Sequence, residues 1–144
     1  MKNRALAVSM LLGLFLLAAA APGQAQQPLR VKIPFDFVAD RTELPAGDYV
    51  VKPSGLASPA WIIQRVDDPK GTLATTMTHS VEAKDPKPGT CLVFRVYGDR
   101  YFLSEMWLAG SGRQLYPSHM QKELAKNETS REVILQAKLQ GPKR

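Results

Sequence analysis

The chain has 144 residues, of which 44% are hydrophobic, 22% charged and 8% aromatic, and its formal charge is +6. These proportions exclude disordered, collagen-like and multi-pass membrane classes and fit one globular domain. The basic residues are scattered rather than striped, which argues against a phosphate-tracking surface and so against a nucleic-acid partner.

Met1 to Arg4 supplies a positive start, Ala5 to Ala20 is an uncharged apolar run, and Gly23-Gln24-Ala25 places small residues before a cut between Ala25 and Gln26. Residues 1–25 are therefore expected to be a secretory signal peptide, and 26–144 a single β-rich domain with frayed ends at about 26–28 and 139–144. The apolar run falls short of the ~20 residues a spanning helix needs. No stable membrane insertion is expected after cleavage, and the destination is periplasmic or extracellular. Losing Lys2 and Arg4 leaves seventeen basic against thirteen acidic residues, a mild +4. The one cysteine, Cys91, cannot form an internal disulfide, so the core must hold the fold. Its place at the head of an apolar run suits a small buried thiol.

Along the mature chain, Val31, Ile33, Phe35 and Phe37 alternate with Arg30, Lys32, Pro34 and Asp36, the period-2 signature of a half-buried strand over 29–38. Pro34 cannot donate to a ladder, which predicts a sheet edge or a bulge there. Asp40 to Glu43 reads as a polar turn and Pro45-Ala46-Gly47 as another, leading into a strand at 48–52. A loop over 53–59 precedes a β-favouring run, Trp61 to Val66, and Asp67 to Gly71 is a turn signal. The threonine- and valine-rich run 72–82 suits a strand with one solvated face.

Cys91 to Tyr97 and Arg100 to Leu108 flank Gly98-Asp99, which predicts a hairpin on a two-residue primed turn. Regular pairing would gather Leu92, Phe94, Val96, Tyr101, Leu103 and Trp107 on a core face. Glu105 would then project into that face, where an ionised carboxylate needs a partner. Gly110-Ser111-Gly112 reads as a flexible turn. Ser118 can cap a short helix through Asn127 with Met120, Leu124 and Gln121 inward, and 132–137 is a last strand. These elements compose a mainly β domain, an antiparallel β-sandwich or barrel of about seven strands with one short C-terminal helix.

Catalytic constellations are missing from the sequence. His79 and His119 stand 40 residues apart, Cys91 has no partner at finger spacing, and there is no Gly-x-Ser-x-Gly elbow, Walker loop or dinucleotide fingerprint. No cofactor or metal is expected, and an enzyme is the less favoured reading; dispersed His79, His119 and Asp36 are the residues a hydrolase would have to use. What remains is Arg95, Tyr97, Arg100 and Trp107 on the hairpin, an aromatic and guanidinium set able to bind a ligand and equally able to be cross-strand packing.

The blocks Ile33-Pro34-Phe35-Asp36-Phe37-Val38, Leu44-Pro45-Ala46-Gly47-Asp48-Tyr49-Val50-Val51, the run Leu92 to Leu103 and Lys122-Glu123-Leu124-Ala125 are similar to a family of small exported bacterial proteins of unknown function. The resemblance spans about Val31 to Leu135 and implies an exported single-domain β protein, with no activity attached. The expectation is a non-catalytic exported domain binding a small ligand, an envelope polymer or an envelope protein. The alternative is a structural protein of the periplasm or cell surface that pairs strands with another chain through the Pro34 strand or the C-terminal strand.

Overall fold

The computed structural model describes residues 27–140 other than 69, 72, 85, 86, 88 and 109. The expected signal peptide, residues 1–25, and the expected cut between Ala25 and Gln26 therefore lie outside the described residues. The fold is mainly β, mostly antiparallel, with one short helix, as the alternating pattern predicts. Eleven short strands replace the expected seven: β1 (Leu29–Ile33), β2 (Phe37–Ala39), β3 (Thr42–Leu44), β4 (Gly47–Pro53), β5 (Ala60–Arg65), β6 (Leu73–Val81), β7 (Cys91–Tyr97), β8 (Arg100–Leu108), β9 (Ser111–Leu115), β10 (Arg131–Gln136) and β11 (Lys138–Leu139). The helix α1 (His119–Asn127) lies between β9 and β10.

Hydrogen bonding orders the strands β10-β7-β8-β9-β6-β5-β4-β1-β11, with the β2–β3 hairpin joined to β8. Strand β6 belongs to two walls. Its first half pairs with β5, as Ile62 with Thr75, and its second half with β9, as Thr78 with Leu115. At the handover, the Thr78 backbone N–H and hydroxyl both donate to the Pro59 carbonyl, each at 2.9 Å. The first wall is β11-β1-β4-β5-β6 and the second is β6-β9-β8-β7-β10. One residue separates the far ends of the path: Gln136 pairs with Cys91 of β7, and Lys138 with Arg30 of β1. Ala137 between them donates to the Thr90 carbonyl at 3.0 Å, so one C-terminal segment bonds to both walls.

Inward-facing residues of both walls form a continuous core that includes Leu29, Val31, Ile33, Tyr49, Val51, Trp61 and Ile63 from the first, and Leu92, Phe94, Leu103, Met106 and Leu115 from the second. Phe37 bridges them, meeting Tyr49 and Phe94 edge-on at centroid distances of 5.3 and 5.6 Å.

Several expectations change. The strand over 29–38 breaks at Pro34, and the chain crosses from β1 in the first wall to β2, which pairs in parallel with β8. The alternation of burial persists through the break, which is why it reads as one strand. Strand β1 pairs along its whole length with β4, whereas β11 pairs only with Leu29 and Arg30, so Val31 to Ile33, next to Pro34, form a sheet edge among the described residues. The β7–β8 hairpin forms with Tyr97 opposite Arg100, and Gly98 has φ +62°, the positive first position that a primed turn requires. A bulge then interrupts it: Phe94 faces Leu103 while Val93 faces Glu105, leaving Ser104 as the extra residue. The bulge turns Met106 into the core and puts Glu105 and Trp107 on the outer face. Glu105 therefore does not enter the core; it accepts the Trp107 indole N–H at 2.8 Å, and Trp107 packs with Cys91 and Val93 instead. Gly112 belongs to β9 rather than to a flexible turn. A Cβ there would lie 2.4 Å from the Trp107 ring, so only glycine admits the indole. Met120 is 42% exposed rather than inward. Leu139, expected to fray, pairs with Leu29, and the Gln140 N–H reaches the Pro28 carbonyl at 2.8 Å.

Candidate functional site

The second wall carries an outer layer. Ser118 caps α1 by accepting the Gln121 N–H at 3.2 Å, fixing the helix start just after Tyr116-Pro117. No residue of α1 is fully buried. Leu124 alone packs against the outer cluster of Val38, Tyr97 and Phe102, so the helix rests lightly and leaves open space beside it.

That space is a chain of three clefts. The first, about 360 Å³, is lined by Asp36, Pro45, Asp99, Arg100 and Tyr101. The second, about 730 Å³, lies between the β2–β3 turn and the start of α1, against Asp40, Arg41, Tyr116, His119 and Met120. The third, about 240 Å³, lies beneath α1 against Arg95, Tyr97, Ser104, Gln114 and Gln121. Val38 and Glu43 line both the first and the second, and Pro117 and Lys122 both the second and the third. The three therefore form one band around the helix N-terminus. Asp40, held at φ +56°, makes the tight turn that presents Arg41.

The band is amphipathic. Tyr116 is 56% exposed, its ring 4.8 Å from that of His79, and Met120 is half exposed beside it. Glu43 is engaged by Arg100 at 3.0 Å. Among the described residues no ion pair engages Arg41, Arg95 or Lys122. Asp40 is the remaining carboxylate of the second cleft, and the first holds Asp36 and Asp99. Asp36 is tied to structure, accepting the Ala46 N–H at 2.9 Å.

The four residues singled out on the hairpin do not converge. Arg95 and Tyr97 line the third cleft and Arg100 the first, joined through the second. Trp107 lines none of the three; it is buried beside Cys91 and over Gly112. Arg41, Tyr116 and Lys122 were not marked as site residues by the sequence, and His119 only as part of a dispersed hydrolase set, because a polar turn and a helix cap are common surface features whose meeting depends on the tertiary path. The hydrolase set also disperses: Asp36 lines the first cleft, His119 the second, and His79 none. Among the described residues no group of three or more His, Cys, Asp or Glu gathers as for a metal ion.

Three groups outside the clefts have shifted titration. Burial pushes the Cys91 thiol above its ordinary value, only partly offset by the Lys87 ammonium. The thiol is therefore held protonated, the opposite of an activated nucleophile. Burial likewise raises Tyr49, whose hydroxyl donates to the Pro45 carbonyl at 2.5 Å. Lys87 is raised by its hydrogen bond to Glu132, at 2.9 Å. Among the described residues no helix is long and apolar enough to cross a membrane. Comparison with protein-family models, with curated proteins and with solved structures returns no match.

Proposed function

We propose that the protein is an exported, non-catalytic β domain that binds an extended ligand, such as a segment of an envelope polysaccharide, in the band of clefts around the start of α1. The observation that carries this reading is the continuity of the three clefts through shared Val38, Glu43, Pro117 and Lys122. A band with an exposed tyrosine face and cations outside ion pairs suits a ligand with ring faces and acidic groups. The protonated, buried thiol and the dispersed histidines support a binding role over a catalytic one. Strand pairing with another chain is the second reading, favoured by β10 and β11 ending the strand order and by β11 covering only Leu29 and Arg30 of β1.

The test is native mass spectrometry of the chain purified gently after export, followed by titration of acidic oligosaccharides monitored by amide NMR. A carried mass that is lost on denaturation, or shifts confined to Arg41, Tyr116, His119 and Lys122, supports the reading, and Tyr116→Ala should weaken binding about tenfold with the fold intact. A bare single-chain mass together with no shift in the band would overturn it, and a dimer would transfer belief to strand pairing.

A further inference from the structure

Among the described residues no element packs on the outer face of the first wall, and its side chains are sorted by charge and polarity. Strand register places Lys138, Arg30 and Val50 in one row and Lys52, Ile62 and Thr75 in another, all on the side opposite the core. Cations occupy the β11-β1-β4 side as Arg30, Lys32, Lys52 and Lys138, and Asp48 is the one acid among the described outward residues of this wall. The β5-β6 side carries the apolar groups, Leu73 at 52% and Met77 at 51% exposure and half-buried Ile62, with Thr75 and Gln64 between them. Met77 lies opposite Ala60, where the loop from β4 to β5 ends.

That loop displays Leu56 at 90% exposure. It is closed on itself, with the Ser54 N–H donating to the Ala60 carbonyl and the Ser54 and Ser58 hydroxyls bonded, both at 2.9 Å. Leu56 is thus carried on a closed loop at the Met77 end of the face. Exposed apolar side chains beside a row of cations, on one sheet face, match two properties of an anionic lipid surface: negative headgroups and an acyl region shallowly beneath them. A soluble polyanion would use the cations and leave the leucines and methionine in water.

We infer that this face, with Leu56, Met77 and Leu73 dipping among headgroups and Arg30, Lys52 and Lys138 beside them, is a docking surface for an anionic membrane. It is separate from the clefts of the second wall and does not depend on what they bind. The chain purified after export should co-sediment with vesicles of phosphatidylcholine containing phosphatidylglycerol at low salt, and not with phosphatidylcholine alone. Neutralising Arg30 or Lys52 to Gln should weaken binding about fivefold each, the equivalent of ~1 kcal/mol per basic residue. The triple substitution Leu56→Ser, Leu73→Ser, Met77→Ser should weaken it more than tenfold while leaving the thermal midpoint near that of the parent, and Tyr116→Ala should leave it unchanged. Absence of binding to the anionic vesicles overturns the inference. So does binding that the triple substitution does not reduce; if dextran sulfate then competes fully, the cations serve a soluble polymer instead.

Discussion

The two walls share one core and treat their outer faces in opposite ways. In β1 the burial pattern alternates strictly, buried at Leu29, Val31 and Ile33 and exposed at Arg30 and Lys32, and β6 repeats it through most of its length. In β7 every residue except Arg95 is buried, because α1 and the β2–β3 hairpin cover one part of the outer face and the Trp107 cluster fills another. A strand wet on one side shows alternation, and a strand covered on both sides reads as a run. The continuous run Cys91 to Phe94 is thus the mark of a second layer, and the clefts occupy the space where that layer is incomplete.

The comparison is tested most severely at Phe102, buried on the outer face beneath Leu124. Phe102→Ala should cost about 3–5 kcal/mol in denaturant unfolding, whereas Thr75→Ala on the outer face of the first wall should stay within ~0.5 kcal/mol. Equal and small effects would mean that the outer layer contributes no packing, and the contrast would collapse. Next in size is Gly112→Ala. The added Cβ meets the Trp107 ring at 2.4 Å, so about 1–3 kcal/mol of overpacking is expected, while Gly55→Ala, with nothing within 4 Å, should be near neutral. The smallest effect is in alkaline stability. Folded Cys91 keeps its proton longer than the unfolded chain, so stability is full below the ordinary thiol value of 9.0 and falls as pH rises from there through the folded value. The slope for this thiol is at most about 1.4 kcal/mol per pH unit. In Cys91→Ala the fall should begin later, where Tyr49, raised from 10.0, starts to contribute. Identical pH profiles would show that the thiol is not desolvated.

Much of the first wall was legible because β1, β4, β5 and β6 each carry alternation, whereas two-residue β11 carries none, and the β7–β8 turn was legible because Gly98 is needed at a positive φ. Ser118 and its helix were legible from capping chemistry. The bulge at Ser104 was not, since no local propensity distinguishes it from a regular residue, and missing it misassigned Glu105, Met106 and Trp107 together. The sharing of β6 was hidden for the opposite reason: Ala74, Thr76 and Thr78 stay buried while the partner changes from β5 to β9, so nothing in the pattern records the switch. The band of clefts depends on residues far apart in sequence, Arg41 and Lys122 among them, and only the folded path brings them together.

The ladder between β1 and β11 joins residues such as Leu29 and Leu139, which lie near opposite ends of the described chain. Contacts so distant in sequence demand a large loop-closure entropy and belong to slow-folding topologies. The first strand gains its final ladder only when the last described residues are in place. Until then β1 lacks that ladder and β7 lacks β10, leaving unfinished edges on both walls. The last described residues therefore complete both walls together, β10 adding the outer ladder of the second and β11 that of the first.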